Sequence, residues 1–144
     1  MSGRSTIIAA AAVVALGAAG LGLPAASAAP AIPLSGGQET AAADEDGHGF
    51  FTYSLEGTTF CWTLSWQNIA TPTAAHIHVG PREVAGPVVI PLDVDGQPGP
   101  DPAGCTTITS ELAAAITANP KGYYANVHNQ PFPAGAIRGQ LKAD

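Results

Sequence analysis

Positive charge is scarce in this sequence: five Lys and Arg residues stand against eleven Asp and Glu, for a formal net charge of −6. Binding along a phosphate backbone needs clustered cations, and from residue 29 onward only Arg82, Lys121, Arg138 and Lys142 remain, far apart in sequence. Nucleic acid is therefore excluded as a main partner, and so is attraction to an anionic lipid surface. Cysteine is scarce too, with only Cys61 and Cys105, too far apart in sequence for a Cys-x-x-Cys redox motif. There is no Gly-x-Ser-x-Gly elbow, and no free thiol is expected to act as nucleophile.

Long apolar runs are missing as well, except at the start. Met1 to Arg4 carries one cation, Thr6 to Leu23 is uncharged and apolar, and Ala26-Ser27-Ala28 has the small-x-small form of a cleavage site. Residues 1–28 read as a secretory signal peptide, and 29–144 as one mature domain of formal charge −7. The product is expected to be secreted, extracellular and free of membrane after cleavage. In an oxidising compartment Cys61 and Cys105 are expected to pair as a structural disulfide, tying the far end of a Pro/Gly-rich loop to the strand that carries Trp62.

What is abundant is turn chemistry, with 17 Gly and 13 Pro. Ala29 to Pro33 reads as a short lead-in, and Ala41 to Gly47 as a small, acidic surface loop. Between Phe50 and Trp66 lie six of the nine aromatics. There Thr59 to Gln67 alternates, with Phe60, Trp62, Leu64 and Trp66 on one face. Glu56-Gly57-Thr58 is a hairpin-length connection to the preceding run from His48 to Leu55, and this hairpin is expected at the centre of the core. Further strands are expected at Ala74 to Val79, Val88 to Leu92, Cys105 to Thr109, Tyr123 to His128 and Ala136 to Leu141. Pro87 and Pro91 mark Val88 to Leu92 as an edge or very short strand. Ser110 to Ala118 fits one short helix, with Ser110 as cap and Leu112 and Ile116 four apart. The pattern predicts an all-β immunoglobulin-like or Greek-key sandwich or barrel of about seven short strands, with one helix near 110–118.

Three segments taken together carry a family resemblance. They are Leu34-Ser-Gly-Gly-Gln-Glu39; Ala75-His-Ile-His78 running into Gly86-Pro-Val-Val89; and Tyr124-Ala-Asn-Val-His128 followed by Phe132-Pro-Ala-Gly135-Ala-Ile-Arg-Gly-Gln-Leu141. In this order they resemble a CHRD domain, the module first described in chordin and found in secreted bacterial proteins, over about residues 34–141. The resemblance implies an immunoglobulin-like β domain in an extracellular protein and brings no established reaction. Asn129 and Ala136 stand where the family often has Thr and Glu, so no role of those side chains carries over.

Four histidines are the main candidates for chemistry. On a strand His76 and His78 project from one face with Ile77 opposite, and His128 shares a face with Asn126 and Tyr124. If Ile77 and Val127 point inward, all three imidazoles share a solvent-facing surface, close together only where their strands are neighbours. Such a set suits Cu(II) or Zn(II); hydrogen bonding to backbone is the plainer role for each ring. His48 has no motif around it. Asp44-Glu45-Asp46 and Asp93-Val-Asp-Gly96 read as solvated acidic loops rather than Ca²⁺ sites, since the latter runs into prolines without a closing Glu. Arg138 is expected to face away from the core, paired with a carboxylate or recognising an anion.

The first functional reading is a secreted non-catalytic domain with a structural or ligand-binding role, its partner an extracellular protein or small ligand. The alternative is an extracellular Cu/Zn-binding protein using His76, His78 and His128. More remote is a superoxide dismutase-like redox enzyme, whose two metals need more ligands than four histidines supply.

Overall fold

The computed structural model describes residues 30–94 and 101–143. The signal peptide expected at 1–28 and Asp95-Gly96 of the second acidic stretch lie outside the described residues. Eight strands form the fold: β1 (Ile32–Ser35), β2 (His48–Glu56), β3 (Thr59–Gln67), β4 (Pro72–Val79), β5 (Val88–Leu92), β6 (Ala103–Thr107), β7 (Tyr123–Asn129) and β8 (Ile137–Gln140). They make one antiparallel sheet in the order β5-β4-β7-β8-β1-β2-β3-β6, curled into a nearly closed barrel. The all-β expectation holds, with one strand more than the sequence predicts. The addition is β1, expected as a lead-in. Its four residues are too few to display a period, but Ile32 and Leu34 are both buried and pair the strand between β2 and β8.

Alternation explains what fills the barrel. In the β2–β3 hairpin Phe51, Tyr53, Phe60, Trp62 and Leu64 point inward, while Phe50 on the opposite face is 53% exposed. Tyr53 stacks on Phe51 and Phe60, with ring centroids 6.3 and 5.3 Å apart. The inward residues of β4, β5, β7 and β8, among them Ile77, Ile90, Val127 and Ile137, join the same cluster. Each such side chain contributes about 1.5–3 kcal/mol through burial. As its prolines indicate, β5 is an edge strand, bonded only to β4.

Helix α1 (Ser110–Ala118) has the expected bounds and lays Ile116 into the core. Its cap differs from expectation. Thr109 accepts the hydrogen bond from the Leu112 amide at 3.1 Å, and Ser110 is the first helical residue. The side chain of an N-cap reaches N–H groups two or three residues on, which Thr109 does with its backbone still extended. For the same reason β6 sits two residues earlier than expected: Ile108 turns its amide to the Thr58 carbonyl and Thr109 is committed to the helix.

Cys61 and Cys105 are bonded as expected, directly opposite one another on β3 and β6. The bridge secures edge strand β6, which follows the Pro/Gly-rich stretch, to the aromatic hairpin.

Candidate metal centre

Strands β4 and β7 are neighbours, the condition on which the histidine cluster depends. His76 faces Asn126, His78 faces Tyr124, and His128 faces Ala74, which puts His128 diagonal to His76 on one side of the sheet. Ile77 and Val127 point inward, as strand parity requires. The three rings close up, with centroids 5.5 Å apart for His76–His78, 5.0 Å for His76–His128 and 5.7 Å for His78–His128. One ligand nitrogen from each ring lies within 4.8 Å of the other two. Among the described residues this is the group of three or more His, Cys, Asp or Glu side chains arranged to hold a metal ion.

Ring tautomers follow from the bonds at the other nitrogens. His78 Nδ1 lies 2.8 Å from the Gly86 carbonyl, and His128 Nδ1 lies 3.2 Å from the Pro133 carbonyl. A carbonyl only accepts, so both Nδ1 atoms carry the proton and both Nε2 atoms present a lone pair. Those Nε2 atoms are buried without a hydrogen-bond partner, as is His76 Nδ1. A neutral imidazole held through N–H to a backbone carbonyl is the usual state of a histidine ligand. Burial holds all three rings below the ordinary imidazole pKa; the neighbouring His78 lowers His76 further, and His76 and then His78 lower His128. At His78 burial comes first, the bond to Gly86 opposes it, and the charge on Arg138 adds to it. Neutral rings are what a metal ion needs.

The face carrying the histidines differs from expectation in one respect. It is only partly open to solvent, with His76 and His128 half-buried. Of its residues His78 is 8% exposed, and Asn126 and Arg138 each 2%. Two loops cover it. The segment after β4 returns past Gly86, whose backbone lies so close to β4 that a Cβ there would fall 1.6 Å from the Val79 carbonyl oxygen. The segment after β1 brings in Glu39, which accepts a hydrogen bond from Asn126 Nδ2. Gly135 (φ +143) lies against that carboxylate, where a Cβ would come within 2.5 Å of it. Periodicity separates the two faces of a sheet but cannot show that long loops fold over the outer one.

Arg138 is likewise away from the apolar core but not at the surface. Its guanidinium packs over the Tyr124 ring, Cζ 3.4 Å from the centroid, and Tyr124 stacks in turn on His78 at 4.9 Å. It donates to the carbonyls of Val84 (3.0 Å) and Pro81 (2.9 Å) and to Gln140 Oε1. Those bonds tie down the loop that covers the site, and they occupy the group that the sequence offered for anion recognition.

Glu39, Asn126 and Tyr124 belong to the segments that carry the family resemblance, but the sequence pattern assigns them no role. The parity of Asn126 and Tyr124 is readable in the sequence; their partners Glu39 and Gly86, 87 and 38 residues away, are not. Burial raises the Glu39 carboxyl to about 7, with the Asn126 hydrogen bond and the Arg138 charge acting in the opposite direction. Asn129, where the family pattern is departed from, is fully buried: its Oδ1 accepts from the Phe132 amide at 2.9 Å and closes the turn after β7. His48 lies apart from the cluster, bonded to the Asp46 carbonyl and Gln67. Asp44 serves the loop through its backbone, accepting from Gly47 and donating to the Ala136 carbonyl.

Comparison with curated proteins and with solved structures gives no match. The sequence profile of the CHRD domain matches residues 31–141, a span that includes all eight strands, the helix and the three clustered histidines. The chain belongs to the CHRD domain family.

Proposed function

We propose that this CHRD domain is an extracellular module that binds one transition-metal ion, Cu(II) or Zn(II), through His76, His78 and His128. One observation carries the reading: three buried ring nitrogens without hydrogen-bond partners occur in one cluster of mutually close rings. A buried polar atom left unpaired costs about 1–3 kcal/mol. Histidines serving only as struts between backbone segments would not have to converge, and two of these three meet the backbone through the nitrogen turned away from the cluster. A metal ion would satisfy all three lone pairs at once.

Three imidazoles leave a fourth position for water or another ligand, the arrangement of ligand-accessible zinc sites. Nitrogen donors also bind Cu(II) more tightly than Zn(II) in the Irving–Williams order. Donors sharing one tetrahedral ion with bonds of about 2.0–2.1 Å stand roughly 3.4 Å apart. Modest ring rotation would close the present spacing. The paired metals of superoxide dismutase would need a second ligand set, and His48 is placed elsewhere, so no reaction is part of the proposal.

The test is calorimetric titration of metal-free mature protein with Cu(II) and, separately, Zn(II). One site per chain is expected, tighter for Cu(II), and lost in His78→Ala and His128→Ala. Because both residues also brace loops, His76→Ala is included, and circular dichroism checks that each variant folds. Folded variants that bind as the parent does, or a parent that binds neither ion, would overturn the reading and leave the histidines a bracing role.

A further inference from the structure

The cations that the sequence scatters are gathered by the fold. Of the five Lys and Arg residues in the chain, Arg82, Lys121 and Lys142 line a single cleft of about 470 Å³. They arrive from three separate segments: the loop after β4, the 3-10 turn before β7 and the tail after β8. No carboxylate is among the described residues lining it, although acidic residues outnumber basic ones by eleven to five. Three exposed cations thus border one cleft of a chain that has an excess of acidic residues. A local positive field in an otherwise negative molecule is the electrostatic form of an anion site.

The backbone at all three positions is held. Gln140 Nε2 donates to the Gly80 carbonyl at 2.6 Å and to the Lys121 carbonyl at 2.7 Å, joining two of the segments. Arg138 donates to the Pro81 carbonyl, next to Arg82, and the Tyr53 hydroxyl donates to the Lys142 carbonyl. The cationic side chains therefore extend from anchored positions. Pro33 and Pro81 add apolar surface to the same cleft, whose volume suits a small organic molecule.

We propose that this cleft is a binding site, separate from the histidine cluster, for a small organic oxyanion: an apolar body bearing a phosphate or carboxylate group. The apolar lining takes the body, and Arg82, Lys121 and Lys142 take the charge. None of the three metal-candidate histidines lines the cleft, so the two sites can be tested independently.

Phenyl phosphate is the probe, followed by ¹⁵N-resolved NMR of the mature protein at low ionic strength. Inorganic phosphate and phenol serve as the charge-only and apolar-only arms. Saturable shifts are expected at the amides of Arg82, Gln140 and Leu141, with phenyl phosphate binding about tenfold or more tightly than either arm. Lys121→Glu/Lys142→Glu should weaken it by about tenfold or more through charge reversal, while binding of Cu(II) at the histidines is unaffected. Arg82→Gln, which changes one exposed loop side chain, guards against loss of fold in the double variant and should weaken binding to a smaller degree. Non-saturating or dispersed shifts, affinity equal to that of inorganic phosphate, or folded variants that bind as the parent does would each overturn the assignment.

Discussion

At the residue scale, Glu39 is the group most displaced from its ordinary chemistry. Its carboxyl, at about 7 in the folded protein, is more basic than in an unfolded chain, where 4.5 applies. Between those two values the folded state binds more protons than the unfolded state. The contribution of this group to stability is therefore fully present below about pH 4.5 and falls as the pH rises to about 7. Glu39→Gln keeps an acceptor for Asn126 and removes the charge. The variant is expected to be more stable than the parent at pH 8, by roughly 1 kcal/mol after allowance for partial exposure. The two should converge towards pH 4.5. Urea denaturation at both pH values measures this, and a constant difference would show that the carboxyl is not held protonated.

Arg138 illustrates why the outer face of β8 is as tightly held as the inner one. A guanidinium has five donors and a flat face, and here it uses both, against two loop carbonyls, Gln140 and the Tyr124 ring. Lysine at this position could supply a charge but not the fork, so the loop from Pro81 to Val84 depends on arginine in particular.

At the element scale, the pairing of β4 with β7 brings His128 to His76 and His78, and the pairing of β3 with β6 brings the cysteines together. The disulfide closes a sequence separation of 44 residues, for which chain entropy gives about 4 kcal/mol. Strand β6 is at the end of the sheet order and has no neighbour beyond β3 to hold it. Reduction is expected to lower the melting temperature by about 10 °C or more in a domain of this size. Differential scanning calorimetry with and without reductant measures the change, and coincident transitions would show that β3 pairing alone retains β6. The helix shows a smaller effect of the same kind: its Thr109 cap is worth about 1 kcal/mol and decides where β6 stops.

At the scale of the whole molecule, family membership and the disulfide are consistent with export, which the signal-peptide reading of residues 1–28 proposes. None of the described helices is long and apolar enough to cross a membrane. Export of a protein with this leader predicts a mature form beginning at Ala29. Intact mass spectrometry of culture supernatant should find the chain without residues 1–28; full-length protein in the membrane fraction would refute the secretory reading. The charge distribution belongs to this scale as well. A formal net charge of −6 describes the average, while Arg82, Lys121 and Lys142 border one cleft with no carboxylate among the described residues that line it.

The sequence by itself determined the all-β class, the aromatic hairpin, the bounds of α1, the edge position of β5 and the same-side projection of His76 and His78. Each depends on a period of two, a turn residue or a proline, and all of these act over a few neighbouring residues. It could not yield β1, where four residues carry too little pattern, nor the cap at Thr109, where two adjacent hydroxyl residues compete. Tertiary structure alone decided that β4 lies beside β7, that loops cover the histidine face, that Arg138 serves carbonyls rather than an anion, and that three distant cations share a cleft. Among these contacts, Gly86 meets Tyr124 across 38 positions and Glu39 meets Asn126 across 87. Strand parity says which way a side chain points; only the order of strands and the path of the loops say what it meets there.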